Sequence, residues 1–260
     1  MAFTNFEELK IYKFELFQDQ PVIQGIYTRH GGISPQPWAS LNLGGTVGDP
    51  RENVIENRRR IFNSICRPVE SIFDVWQVHG NRVISTMRSR PLDQPHEQAD
   101  AIVTNRPDVT LMMRFADCVP VLFYDPERRV VAIAHAGWKG TVNKIVKETV
   151  AQMKKEYGCH PEKILAGIGP SIGPDHYEIG PDVIQEVEKG YPEHVGDLLR
   201  QVGDQTYFDL WNANRLALQE SGVERIQLAG VCTACHSEDW FSHRGEKGRT
   251  GRFGAVLCLR

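Results

Sequence analysis

Residues 116–138 read ADCVPVLFYDPERRVVAIAHAGW. Two apolar runs flank Asp125-Pro126-Glu127-Arg128, and a proline at the second position of such a segment is typical of a β-turn. Apolar runs on both sides of a turn indicate a β-hairpin. The segment therefore predicts a buried hairpin at the centre of the fold.

The register of this hairpin decides which side chains meet at its open end. We expect Tyr124 to pair with Arg129 or Val130. Because antiparallel partners keep a constant sum of residue numbers, Cys118 then lies opposite His135 or its neighbour. A thiol and an imidazole that are far apart in the sequence would thus be side by side.

A second histidine completes a candidate metal site. His79 ends the run Trp76-Gln77-Val78-His79, just before a turn. With Cys118 and His135 it would leave zinc one ligand short of a tetrahedron, as in catalytic sites. Two alternatives remain open: Cys118 as a nucleophile with His135 as its base, and ordinary packed side chains. Asp117 should point away from Cys118 along a strand, which makes it a weak candidate.

Composition limits the classes of protein. The chain has 260 residues, of which 41% are apolar, enough for a large core. A net charge of -3 gives no electrostatic reason to expect nucleic-acid or membrane partners. We find no leader-like or membrane-spanning run, so we expect a cytoplasmic monomer or small homo-oligomer. Six cysteines are too few for a disulfide scaffold and predict reduced thiols.

The remaining patterns contain more strands than helices. Asp49-Pro50-Arg51-Glu52 is a capping pattern with Asp49 as the N-cap, and the helix should end near Cys66. A second helix should follow Gly140 and end at Gly158. Most other apolar runs are short and follow one another in hairpin-like order. The pattern predicts an α+β fold with mixed, largely antiparallel sheets, in one catalytic domain over residues 1–260.

Two glycine-punctuated segments carry arginines that are candidates for anion binding. Arg29 precedes the turn at 30–32, and Arg249 and Arg252 lie in a basic loop near the C-terminus. Guanidinium and backbone N–H groups of such loops bind phosphate or carboxylate. The alternative is that both segments are solvated surface turns.

The segment Cys232-Thr233-Ala234-Cys235-His236 fits a haem-attachment pattern and half of a zinc ribbon. Covalent haem attachment calls for an exported chain, and a zinc ribbon needs a second cysteine pair, whereas Cys258 stands alone. We therefore expect Cys232 and Cys235 to be packed or loop thiols near a site rather than cofactor ligands.

Eight motifs occur in order from about residue 22 onward. They are Thr28-Arg29-His30-Gly31-Gly32, Gln77-Val78-His79-Gly80, Ala116-Asp117-Cys118-Val119-Pro120, His135-Ala136-Gly137-Trp138-Lys139-Gly140, Gly167-Ile168-Gly169-Pro170-Ser171-Ile172-Gly173, Cys232-Thr233, Phe241-Ser242-His243-Arg244 and Thr250-Gly251-Arg252. Together they resemble the YfiH-type family, which has been called a laccase-domain or polyphenol oxidase family, a peptidoglycan editing factor and a purine nucleoside phosphorylase.

This resemblance implies a four-layer α-β-β-α sandwich, similar to that of a bacterial toxin deamidase that uses a cysteine and a histidine. It implies zinc, with copper as an alternative, held by His79, Cys118 and His135. The implied activity is phosphorolysis of adenosine, inosine and methylthioadenosine, with adenosine deamination as a further activity. The chain departs from many relatives at Asp175-His176, which stand in place of a common cysteine pair.

The candidate residues suit both implied reactions. For deamination, zinc would lower the pKa of a water molecule that attacks C6 of the purine. For phosphorolysis, phosphate must be held under C1′ of the ribose while the purine leaves as an anion. Cationic donors are needed for that step, and we select Arg29, Arg249 and Arg252.

Three other functions compete with this one. A four-copper laccase needs about ten histidines in clustered H-x-H pairs, whereas the chain has nine histidines and no such pair. A cysteine hydrolase or amidase that edits peptidoglycan precursors would use Cys118 as its nucleophile, so alkylation would stop it and zinc removal would not. A non-catalytic, metal-dependent binding module would bind its ligand without turnover.

Overall fold

The structure is a computed structural model that describes residues 2–260, and it has a mixed α+β fold. The strands are β1 (Ala2–Phe6), β2 (Leu9–Lys13), β3 (Val22–Tyr27), β4 (Ile72–Phe73), β5 (Val83–Ser85), β6 (Ala101–Thr104), β7 (Thr110–Phe115), β8 (Val119–Asp125), β9 (Val130–Ala136), β10 (Leu165–Ile168), β11 (Glu178–Ile179), β12 (Leu199–Val202), β13 (Gln205–Phe208), β14 (Arg225–Leu228) and β15 (Phe253–Leu259). The helices are α1 (Arg51–Ser64), α2 (Trp138–Val142), α3 (Ile145–Tyr157), α4 (Pro181–Gly190), α5 (Val195–Leu198) and α6 (Leu210–Glu220).

The strands form two large sheets and one small sheet. The first has the order β1-β2-β3-β15-β7-β4, in which β4 and β7 are parallel and the other neighbours antiparallel. The second has the order β14-β10-β8-β9-β6-β5, with parallel pairs at its two edges. The small sheet is β11-β13-β12. The expected mixed, largely antiparallel arrangement is therefore confirmed.

Three apolar clusters lie between successive layers. Side chains alternate across each strand, so Val121 packs with the helices α3, α4 and α6, whereas Leu122 packs toward the other sheet. In the first sheet, Met113 belongs to the cluster between the sheets, and Met112 packs with Phe62 of α1. The order of layers is therefore helix, sheet, sheet, helix.

The central hairpin is present as β8 and β9, but its register differs from the prediction. Tyr124 pairs with Val131, not with Arg129 or Val130, and His135 pairs with Pro120. The reason is that Arg129 has φ 51° and belongs to the loop. A non-glycine residue in this left-handed conformation is uncommon and has no signature in the sequence.

Helix α1 begins at Arg51, and the N-cap prediction for Asp49 is wrong. Pro50 is the N-cap residue and makes no side-chain capping bond. The Asp49 carboxylate instead accepts hydrogen bonds from Ser34 Oγ at 2.6 Å and Asn42 Nδ2 at 2.8 Å. It therefore fixes the long loop that precedes α1, and this loop forms part of the cavity wall described below. Within residues 2–260, no helix has the length and apolar character needed to cross a membrane.

Candidate active site

The structure brings His79, Cys118 and His135 together from three separate segments. His79 lies in the loop between β4 and β5, Cys118 directly precedes β8, and His135 is near the end of β9. One donor atom of each residue lies within 4.8 Å of the other two. The imidazole centroids of His79 and His135 are 4.9 Å apart. The predicted side chains thus form one cluster.

Cys118 reaches His135 along a diagonal and not directly across the hairpin. Pro120 is the partner of His135, and Cys118 lies two residues before it. Although Cys118 precedes the strand, a residue two positions from the cross-strand partner is still close enough for its side chain to meet that of His135. The cluster therefore forms even though the register differs from the one expected.

Asp100 organises the cluster, and the sequence analysis did not find it. Its carboxylate accepts hydrogen bonds from His135 Nδ1 at 2.8 Å and from the backbone N–H groups of His79 at 3.0 Å and Gly80 at 2.7 Å. These contacts hold His79 at a φ of 60°. A carboxylate on the far nitrogen of a ligating histidine fixes the ring and its tautomer in metal sites.

The cluster has strongly perturbed protonation. Burial acts to raise the pKa of Cys118, but the charge and hydrogen bond of His135, together with His79, lower it to about 6. Burial acts to lower the pKa of His135, but the Cys118 thiolate and Asp100 raise it to about 9. For Asp100, burial acts to raise the pKa, but the hydrogen bond and charge of His135 and the N–H groups of Gly80 and His79 together hold it below its usual range. The thiolate form that a metal ion requires is therefore favoured.

Gly137 gives the cluster its space. A Cβ atom at this position would lie 3.0 Å from Cys118 Sγ and 3.0 Å from His79 Cδ2. Any side chain there would push two of the three donor groups apart. The absence of a side chain at Gly137 therefore has a packing reason at this site.

The donor set fits a zinc ion. One thiolate and two imidazoles are typical zinc ligands, and three protein ligands leave a position open for reactants. His79, Cys118 and His135 would hold the ion, with Asp100 orienting His135. The same geometry also places Cys118, His135 and Asp100 in the order nucleophile, base and orienting acid of a cysteine hydrolase.

The cluster opens into a cavity of about 840 Å³. This volume is within the range of small-molecule sites, about 300–1,000 Å³. The lining residues beyond the donor cluster come from the loop before α1, from α1 itself, from strand β7, from the first residues of α2 and α6, and from loops that connect the strands. They are Gly44, Gly45, Thr46, Arg51, Val54, Ile55, Arg58, Trp76, Gln77, Arg90, Leu92, His96, Arg114, Ala116, Asp117, Trp138, Ile172, Tyr177, Leu210, His243, Arg244 and Arg252.

One wall of the cavity is strongly basic. Arg58, Arg90 and Arg114 surround the single carboxylate of Asp74, with N···O distances of 3.9, 2.8 and 3.2 Å. His96 contacts the same carboxylate at 3.0 Å. Three guanidinium groups therefore share one negative charge. The Nε atom of Arg58 is buried and has no hydrogen-bond partner within residues 2–260.

Of the three arginines selected from the sequence, the structure brings only Arg252 to the cavity. Arg29 lies outside it because its guanidinium donates to Ala39 O and Ser237 O and contacts Glu246. Arg249 is exposed and also does not line the cavity. The basic wall around Asp74 was not found from the sequence, because its arginines are scattered over 57 positions of the chain.

Asp117 lines the cavity, contrary to the expectation that it points away from the site. Residues 116–118 precede β8 and are not in a strand, and Asp117 has φ 80°. The alternation of side chains along a strand therefore does not apply to it. Its carboxylate accepts hydrogen bonds from Thr233 Oγ1 at 2.7 Å and the N–H of Arg244 at 2.6 Å, which fixes the C-terminal loops against the cavity.

A mixed α+β fold that gathers two histidines and a cysteine at the base of a large cavity defines a protein of the metal-binding type. The chain belongs to the family described as "Multi-copper polyphenol oxidoreductase laccase", whose sequence model matches residues 23–260. The resemblance to YfiH-type proteins is thereby confirmed.

Individual relatives agree with this assignment. The chain is similar to a Bacillus subtilis protein named purine nucleoside phosphorylase YlmD, with 37% identity over 93% of this chain and 90% of the relative. It is similar to Escherichia coli purine nucleoside phosphorylase YfiH, with 36% identity over 89% of this chain and 91% of the relative. The crystal structure of YlmD from Geobacillus stearothermophilus superposes with a TM-score of 0.92 at 33% identity, covering 99% and 98% of the two chains.

Proposed function

We propose that the protein is a zinc-dependent purine nucleoside phosphorylase that acts on adenosine, inosine and methylthioadenosine and also deaminates adenosine. The observation that carries the proposal is that one cavity contains both the His79, Cys118 and His135 donor cluster and a basic wall with unbalanced positive charge. The names of the B. subtilis and E. coli relatives support the purine nucleoside phosphorylase part of the proposal.

The basic wall is the proposed phosphate-binding region. Arg58, Arg90 and Arg114 have only Asp74 to balance them, and a phosphate ion would supply the missing negative charge. The buried Nε–H of Arg58 would gain the acceptor that it lacks within residues 2–260. Charge-assisted bonds from guanidinium to phosphate are among the strongest hydrogen bonds in proteins.

The purine and its leaving charge are assigned to Trp76 and the donor cluster. Trp76 is 48% exposed although it lines the cavity, and a free indole face suits stacking of a flat base. Asp100 holds a proton on His135 Nδ1, so that Nε2 faces Cys118 and the site. When bound, zinc would supply a Lewis acid for the departing base and a means to activate water for deamination.

The decisive experiment is product identification with metal-analysed protein. Adenosine with phosphate should give adenine and ribose 1-phosphate, and adenosine without phosphate should give inosine only. Removal of zinc with a chelator should stop both reactions, and added zinc should restore them. Failure to form adenine in the presence of phosphate and zinc would overturn the phosphorylase proposal.

Replacing Arg58 by glutamine should raise the KM for phosphate about 10- to 100-fold, the loss expected for a charged hydrogen bond of about 1.5–3 kcal/mol. The KM for the nucleoside should change much less. Steady-state kinetics with either substrate varied will separate the two effects. Arg59→Gln is the matched control, since the next guanidinium on α1 is 57% exposed and pairs with Glu56. Equal phosphate KM values in the two variants would contradict the assignment of the basic wall.

A cysteine hydrolase or amidase acting on peptidoglycan precursors is the second candidate. Two observations favour it: Cys118, His135 and Asp100 contact one another in series, and the pKa of the Cys118 thiol is lowered. Such an enzyme keeps its activity after zinc removal and loses it on alkylation of Cys118. For the phosphorylase we expect the reverse order of sensitivity, with bound zinc protecting Cys118 from iodoacetamide.

A further inference from the structure

Two loops that the proposed reaction does not use meet next to residues of the cavity lining. The turn at 173–176 follows β10, and the segment 231–236 follows β14. Ser171 N–H donates to Val231 O at 3.1 Å, and Thr233 N–H donates to Ser171 O at 3.0 Å. This backbone pairing aligns the two loops and places their next residues side by side.

Four potential metal ligands meet at this junction. One donor atom from each of Asp175, His176, Cys232 and Cys235 lies within 4.8 Å of the other three. Cys235 Sγ is 3.5 Å from His176 Nδ1, and His176 Nδ1 is 3.0 Å from Asp175 Oδ1. Bond lengths of about 2.0–2.3 Å in tetrahedral zinc sites imply ligand separations of about 3.3–3.8 Å. The cluster is therefore compact enough to enclose one ion with little movement.

The surroundings of Cys232 are also those of a thiolate ligand. Cys232 is buried at 6% exposure, and its Sγ accepts the N–H of Gly173 at 3.2 Å. Gly173 permits this contact, since a Cβ atom there would lie 2.9 Å from Asp175 Oδ1 and 3.2 Å from Cys232 Sγ. Backbone N–H bonds to sulfur are part of the shell that orients and stabilises ligating thiolates.

We propose that Asp175, His176, Cys232 and Cys235 bind a second zinc ion, which clamps the loop at 173–176 to the loop at 231–236. Two thiolates, one imidazole and one carboxylate fill a tetrahedron, so the site is closed and structural. The sequence pattern suggested half of a zinc ribbon, and the other half comes from Asp175 and His176 rather than from a second cysteine pair. Ile172 and Tyr177, which flank the turn at 173–176 in the sequence, line the cavity.

Zinc content of the purified full-length chain tests this site. Wild-type protein, saturated with zinc and dialysed, should hold one more ion per chain than the Cys235→Ser variant, as measured by elemental analysis. The His176→Asn variant should show the same loss. Cys235 and His176 are both exposed, so neither change threatens folding. Cys66→Ser removes another exposed thiol and is the matched control, with no expected change in zinc content.

Cobalt substitution gives a second readout. The thiolate-to-cobalt absorption of the wild-type protein should fall to about one third in Cys235→Ser, because one thiolate of three then remains bound. Unchanged zinc content in Cys235→Ser, or a disulfide between Cys232 and Cys235 in the zinc-treated wild-type chain, would overturn the proposal. The loss of one zinc ion per chain in Cys235→Ser does not depend on whether the cavity site binds zinc or whether the chain is a phosphorylase, whereas the one-third ratio of the cobalt signal requires that Cys118 also binds cobalt.

Discussion

Replacing His79 by asparagine is expected to lower kcat/KM for adenosine phosphorolysis by at least about 10³-fold and to remove zinc from the cavity site. A metal centre supplies several kcal/mol to a transition state, and about 4 kcal/mol corresponds to this factor. Asparagine is the best replacement because residue 79 has φ 60°, a conformation that asparagine tolerates. The side chain of His79 is exposed, so the fold should persist.

This variant also separates the two candidate mechanisms. A cysteine hydrolase would use Cys118, His135 and Asp100, and His79 would then be dispensable. A zinc enzyme needs His79 as one of three ligands. His160→Asn is the control, because His160 is an exposed histidine that contacts Glu162 outside the cavity. Phosphorolysis of adenosine by the His79 variant within a few fold of the control would exclude the zinc mechanism. Hydrolysis of a peptidoglycan precursor that survives the change would instead favour the hydrolase.

Local patterns were sufficient to predict the fold class and the central hairpin. The apolar runs and the proline of the turn at 125–128 specify a hairpin without reference to distant residues. The register was predicted wrongly because it depends on one backbone angle, that of Arg129. The side chain of Asp125 accepts the N–H groups of Glu127 and Arg128, which stabilises a longer loop than the turn pattern alone suggests.

The groups that surround the candidate site could not be predicted in this way. Asp100 reaches His135 because β6 pairs with β9, a long-range choice that no short pattern encodes. Asp74 and Arg114 are 40 residues apart and meet only because β4 pairs with β7. A charged residue in a polar segment looks solvated in the sequence until its partners are known. The donor residues could thus be predicted from the sequence, whereas the residue that orients His135 and the arginines that make the cavity wall basic could not.

The ligand cluster around the cysteine motif at 232–235 also could not be predicted from the sequence. A zinc ribbon needs a second pair of cysteines, and the other four cysteines of the sequence, Cys66, Cys118, Cys159 and Cys258, are each isolated. In the folded chain the neighbouring donors are Asp175 and His176, residue types that carry no such pattern. Spacing rules identify metal sites well when all ligands come in similar pairs, and they fail when the ligands are mixed.

Replacing Asp74 by asparagine is expected to lower the free energy of unfolding at pH 7 by about 3–5 kcal/mol, the cost of removing one partner from a buried ionic group. Asp74 is 1% exposed, and Arg90 is 7% exposed. With the carboxylate gone, Arg58, Arg90 and Arg114 would repel one another in a region largely shielded from water. Urea denaturation of the wild type and the variant will measure the difference, with Asp93→Asn, an exposed aspartate in the loop between β5 and β6, as the control.

The loss of stability caused by Asp74→Asn should become smaller at low pH. Burial acts to raise the pKa of Asp74, but the hydrogen bond from His96 and the charges of Arg114 and Arg58 hold it well below its usual range. A carboxylate with a lowered pKa stabilises the fold above its unfolded pKa of about 3.9, and this contribution is lost as the pH falls further. The gap between wild type and Asp74→Asn should therefore be constant from about pH 5 to pH 8 and narrow below about pH 4. A gap that widens on acidification, or none at pH 7, would show that the basic wall is balanced by groups other than Asp74.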